Sequence, residues 1–127
     1  MKAEDLQLGN YVSYKGTIIK IEAIHAKKIG YHTRPDRLTW VRISMLEPIK
    51  LNTFIIERNF AFNHEYTSTY GNGEVLFYKF GYKSWNLVWL VEQEVLKIED
   101  DPLITVVYVH ELQNLCKLTG THIEIII

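Results

Sequence analysis

Leu6-Gln7-Leu8-Gly9-Asn10-Tyr11-Val12 opens the stretch that decides how this 127-residue chain folds. Gly9-Asn10 is a turn pair and Lys15-Gly16 is a second one, so Tyr11 to Tyr14 between them reads as a short strand. Thr17 to His25 follows, with Thr17, Ile18, Ile19, Ile21 and Ile24, a β-branched run suited to a pleated surface. Gly30 and Arg34-Pro35-Asp36 read as the next turns. Leu38 to Ile43 reads as a third strand, with Leu38, Trp40 and Arg42 sharing a face. Ser44 to Ile49, containing Leu46-Glu47-Pro48-Ile49, has the pattern of a helical turn and a closing strand. Short strands spaced this closely predict a small SH3-like barrel over residues 1–49.

Working outward, residues 50–127 predict a sheet with two helices. Asn52 is placed to cap a short helix across Thr53 to Arg58, with Asn59 ending it. Gly71-Asn72-Gly73 marks a hairpin between Tyr66–Tyr70 and Val75–Phe80. Gly81-Tyr82-Lys83-Ser84 then leads to strands at Trp85–Val91 and Val95–Ile98. Asp100-Asp101-Pro102 breaks the sheet, and the apolar run Leu103–Tyr108 reads as a buried strand. Val109 to Leu118 is the strongest helix, its stripe formed by Val109, Leu112, Cys116 and Thr119 with Leu115 alongside. His110, Gln113, Asn114 and Lys117 fall on its other faces, and Gly120 sits at the C-cap. Ile123 to Ile127 reads as a last strand, whose exposed apolar edge a homodimer would cover. The fold class is therefore α+β, mostly β. The two parts are expected to pack together, since each alone is small for independent folding.

Composition narrows the function classes. Hydrophobic content of 47% and charged content of 23% describe a globular domain rather than a disordered chain. No apolar run is long enough to span a bilayer, and Met1 to Leu6 lacks the apolar core of a secretory leader, so a cytoplasmic location without membrane partners is expected. The single cysteine, Cys116, allows no internal disulfide and no Cys-rich metal site. Charge is unevenly distributed. Residues 1–50 carry nine basic and five acidic side chains, a balance of +4, whereas residues 51–127 carry five and ten, a balance of −5.

Three segments together resemble one family. They are Leu6-x-x-Gly9-Asn10-Tyr11-Val12, Leu46-Glu47-Pro48-Ile49-x-Leu51, and Val109-His110-Glu111-Leu112-Gln113-Asn114-Leu115 with Leu118-Thr119-Gly120. The pattern resembles an uncharacterised family of small proteins from gut Bacteroidetes, their phages and mobile elements. The resemblance spans both ends of the chain and implies no particular activity. The chain departs from it at Cys116-Lys117, where an aromatic pair is usual, and at Glu57-Arg58-Asn59-Phe60, which lacks a glycine before the phenylalanine.

Catalytic signatures are absent from the sequence. His25 and His32 lie seven apart, His64 and His122 stand alone, and no His-x-x-x-His or Cys-x-x-Cys spacing makes a metal site. His110 and Cys116 are six residues apart on one helix, about 120° around its axis, so they form no dyad. Glu92 and Glu94 alternate on one face of a strand with no sign of the unequal environments an acid–base pair needs, the run Glu99-Asp100-Asp101 reads as a solvated loop, and no cofactor is implied. One region stands out. Lys27, Lys28, Tyr31, His32, Arg34, Arg37, Trp40 and Arg42 place cations among aromatics, the combination that grips phosphates and stacks on bases. His110, Gln113 and Asn114 form a second candidate, a polar helix face. The expectation is a non-enzymatic accessory or binding module of a phage or mobile element, with contact to nucleic acid through its basic half as one version. The alternatives are a protein-interaction module serving a partner from the same genetic element, and a small hydrolase-type enzyme.

Overall fold

The computed structural model describes residues 1–60, 64–70, 73–80, 85–98, 101–119 and 124–127. They form two compact units, one comprising Met1–Ile49 with Tyr108–Asn114 and the other Lys50–Val107 with Leu115–Ile127. The division expected after residue 49 is thus interrupted, because the first turns of the last helix belong to the first unit. The protein is mixed α+β and mostly β, with antiparallel pairing throughout.

In the first unit six strands make two three-stranded sheets. One holds β1 (Tyr11–Tyr14), β2 (Thr17–Lys20) and β6 (Leu46–Glu47) in the order β2-β1-β6. The other holds β3 (Ala23–His25), β4 (Lys28–Arg34) and β5 (Arg37–Arg42) in the order β3-β4-β5. No closed barrel is found among the described residues; residues 1–49 show this pair of three-stranded sheets. The turn joining β1 to β2 has positive φ at both central residues, Lys15 at 48° and Gly16 at 78°, the handedness that suits a two-residue hairpin. Alternation along the strands sends Val12, Ile19, Ile29, Val41 and Leu46 inward with Leu6, Ile21 and Ile43, and Tyr14 and Tyr31 pack against this cluster.

Gly30 corrects the sequence reading. It lies within β4, opposite Trp40, rather than in a turn. A Cβ there would come within 3.0 Å of the Leu38 side chain, which lies over the glycine and occupies the space. The turn falls earlier, at Ala26, which adopts φ 54°.

The second unit begins with α1 (Thr53–Phe60). Asn52 caps it as expected, its Oδ1 accepting the Ile55 N–H at 2.9 Å. Asn59 does not end the helix. Its side chain donates to the Ile55 and Ile126 carbonyls and accepts the Ile126 N–H at 2.7 Å. Residues 124–127 consequently form no strand, and Ile125 is buried in place of the exposed edge that was expected.

A five-stranded meander follows, ordered β11-β10-β9-β8-β7, from β7 (His64–Tyr70), β8 (Gly73–Phe80), β9 (Trp85–Leu90), β10 (Val95–Ile98) and β11 (Asp101–Val106). Its register lines up Leu76, Trp89, Leu96 and Val106 as one buried row across four strands. Trp89 is fully buried, and its indole N–H donates to Thr53 Oγ at 2.9 Å. The expected hairpin is present, with Tyr70 paired to Gly73, while its Gly71-Asn72 turn, the Gly81–Ser84 connection and the Gly120 cap lie outside the described residues.

Two strand readings change. Asp101 and Pro102 belong to β11 rather than to a break, since Ile98 pairs with Asp101 across a register shift. Leu103 is 92% exposed, because β11 is a sheet edge and not a strand covered on both faces.

α2 (Val109–Leu118) matches the sequence reading in both bounds and buried stripe. Its first turn is closed by the Glu111 carboxylate, which accepts the Tyr108 N–H at 2.9 Å. Thr119 closes its end by donating to the Leu115 and Cys116 carbonyls.

Candidate functional site

The polar face of α2 turns inward within the first unit. Gln113 Oε1 accepts the Tyr11 N–H at 2.8 Å, and Gln113 Nε2 donates to the Gly9 carbonyl at 3.0 Å. Asn114 Oδ1 accepts from Asn10 Nδ2 at 2.9 Å, and Asn114 Nδ2 donates to the Asp5 carbonyl at 2.8 Å. Asn10, itself fully buried, accepts the Gln7 N–H at 2.8 Å. Gly9-Asn10-Tyr11 is thus held in a two-pronged amide clamp. Two of the three segments singled out in the sequence, Leu6–Val12 and Val109–Leu115, meet here, and their amides serve the fold. Asn10 is the residue sequence reasoning missed. Its only local signal was membership of a turn pair, and its partner lies 104 positions away.

His110 is 4% exposed, stacked on Tyr108 with ring centroids 5.9 Å apart. Its Nδ1 is buried without a hydrogen-bond partner among the described residues. Burial holds its pKa below the usual 6.5, opposed by the nearby Glu111 and Asp5 carboxylates. The three residues of the candidate polar face are therefore turned inward, two in the clamp and one in the aromatic stack.

Other chemistry finds no support from geometry. Burial pushes the Cys116 thiol up to about 12, so it carries no thiolate nucleophile at neutral pH. Glu92 and Glu94 sit in the turn between β9 and β10, with φ 55° at Glu94, rather than along one strand face. Asp101 accepts the Leu103 N–H at 3.2 Å, while Glu99, Asp100 and His122 lie outside the described residues. Among the described residues no group of three or more His, Cys, Asp or Glu is arranged to hold a metal ion. None of their helices is long and apolar enough to cross a membrane.

The basic-aromatic region lies on the sheet of β3, β4 and β5. Directly opposed residues share a face, so His25, Lys28 and Arg42 form one row, Gly30 and Trp40 the next, and His32 and Leu38 the third. These residues point away from the core formed by Ile29, Tyr31 and Val41 on the other face. Trp40 is 46% exposed, and β-strand alternation explains why: Val41, its neighbour, takes the inward position. Tyr31 does the opposite. It packs on the core and on Tyr14, with ring centroids 6.3 Å apart, and is not on the outer face.

At the lower end of this face is an open groove of about 950 Å³, lined by Met1, His25, Lys27, Lys28, Arg42 and Ser44 with Ala3, Ala26 and Ile43. Its charged lining among the described residues is wholly cationic, with no carboxylate. Among the described residues the side chains of Lys27, Lys28 and Arg42 make no ion pair or hydrogen bond that would neutralise them. Arg34 and Arg37 are not part of the groove. They face each other at the far end of the β4–β5 hairpin, six residues from Lys28, or about 20 Å along the strand. The eight predicted residues therefore separate into a groove set (Lys27, Lys28, Arg42), an aromatic beside it (Trp40), His32 in the row opposite Leu38, a hairpin-tip pair (Arg34, Arg37) and a core residue (Tyr31). No protein-family model, curated protein or solved structure matches this chain.

Proposed function

We propose that this protein is a non-enzymatic binding module whose first unit, two small sheets in an SH3-like arrangement, contacts nucleic acid through the basic groove. One observation carries the reading: an open groove of about 950 Å³ gathers Lys27, Lys28 and Arg42 with no carboxylate among its described lining residues. Cations held near one another and left unpaired attract a polyanion, and release of its counterions supplies affinity that falls with salt. The family resemblance supports an accessory role for a phage or mobile element.

Fluorescence anisotropy with labelled oligonucleotides at two salt concentrations tests this. Binding is expected at low salt and is expected to weaken steeply as salt rises. Lys27→Glu combined with Lys28→Glu is expected to weaken it about ten-fold or more and to flatten the salt dependence by one to two phosphate contacts. Absence of binding at low salt and tens of micromolar protein rejects the reading. A protein-interaction role would then rest on the second unit, where Leu103 is 92% exposed on the edge strand β11.

A further inference from the structure

We infer that the strand bound by this face is single and unpaired, with one base stacked on Trp40 and the adjoining phosphate between Lys28 and Arg42. The inference rests on the nucleic-acid reading above and names the form of ligand that the face accepts. Lys28 opposes Arg42 directly, so the two cations flank one point at the mouth of the groove. Trp40 lies two residues from Arg42 on the same side of β5, about 7 Å along the strand. That is the scale separating a base from its own phosphate.

The position opposite Trp40 is Gly30, which has no side chain, and the space above it is taken by Leu38. Trp40 is thus left without a cross-strand side chain beside it. It stays 46% exposed, and its indole N–H has no acceptor among the described residues. Leu38, 37% exposed, continues the apolar surface.

An apolar stripe abutting a cationic pair discriminates between nucleic-acid forms. A duplex keeps its base faces inside its own stack and would present only phosphates and sugars to Trp40 and Leu38. A single strand offers a base face to the indole and a phosphate to the cations. An acidic peptide would satisfy the cations but has no flat ring for Trp40.

The test compares the full-length protein with Trp40→Ala, Trp40→Phe and Lys28→Glu/Arg42→Glu, against an oligothymidine, the same length as a duplex, and polyglutamate. Tighter binding of the single strand than of the duplex is expected. Trp40→Ala is expected to cost the single strand about ten-fold with the salt slope unchanged, because a stacking contact is lost and no phosphate contact is. Trp40→Phe restores most of that loss. Lys28→Glu/Arg42→Glu weakens both forms and reduces the slope. Equal binding of duplex and single strand, or single-strand affinity indifferent to Trp40→Ala, overturns this inference while leaving the groove as a phosphate site. Polyglutamate binding as tightly as the oligonucleotide overturns it in favour of an acidic protein. Absence of oligonucleotide binding at any salt overturns the underlying reading as well. Circular dichroism of each variant confirms the fold, which these exposed positions leave intact.

Discussion

Two polar clusters of the first unit use their side chains in opposite ways. At the amide clamp, Asn10, Gln113 and Asn114 make five hydrogen bonds to their surroundings and have little left to offer a ligand. On the outer face of β3, β4 and β5, Lys27, Lys28 and Arg42 line one groove without internal partners among the described residues. Both regions read as candidate sites from sequence. The difference shows that a polar residue indicates function only once its hydrogen-bonding capacity is accounted for. Amides that bind backbone hold a fold, and cations left in solvent are available to an outside charge.

The comparison breaks first, and most visibly, at the clamp. Gln113→Ala with Asn114→Ala removes four of its hydrogen bonds and leaves backbone groups of Gly9 and Tyr11 without partners. Urea denaturation is expected to show a loss of about 2–4 kcal/mol. By contrast Lys27→Glu with Lys28→Glu is expected to shift stability by no more than about 0.5 kcal/mol, since both sides are solvated. A large destabilisation there would mean that the groove cations support the fold after all.

His110 sharpens the contrast through pH. Its folded pKa lies below 6.5, so the unfolded chain takes up a proton more readily than the folded one. Stability is therefore full above pH 6.5 and declines as pH falls below it, levelling off once the folded pKa is passed. Thermal denaturation between pH 7.5 and 5 is expected to show the decline, and His110→Gln is expected to flatten it. Gly30→Ala is expected to have a small effect on stability, under about 1 kcal/mol, because the atoms it meets belong to the Leu38 side chain, which is partly exposed and can swing aside. The same substitution would alter the surface beside Trp40, so its effect on binding should exceed its effect on melting.

Much of the local structure was legible from residues alone. Helix α2 follows from the spacing of Val109, Leu112, Leu115 and Cys116, and the Asn52 cap from its place before an apolar run. Periodicity and capping are short-range, and such signals survive folding. The misreadings have long-range causes. Gly30 looks like a turn until Leu38, eight residues on, is seen lying over it. Asn59 looks like a helix stop until the tail at Ile126 is seen to claim its amide. Leu103 looks buried until β11 is found at the edge of the meander. At the site, the cations were identifiable by type. Their separation into a groove set and a hairpin-tip pair depended on strand register, which composition does not encode.

The clamp also sets an order of events during synthesis. Tyr11 and Asn10 are made 102 and 104 residues ahead of Gln113 and Asn114. The six strands of the first unit must wait for those residues before Asn10 finds its partner. A contact closing so long a loop carries a large entropic cost before it gives any return, and it marks a slow, late step in folding. A nascent chain stalled before residue 109 would hold the basic groove residues but lack the element that fixes Gly9-Asn10-Tyr11. The first unit is therefore completed only once residues 108–114 have been made.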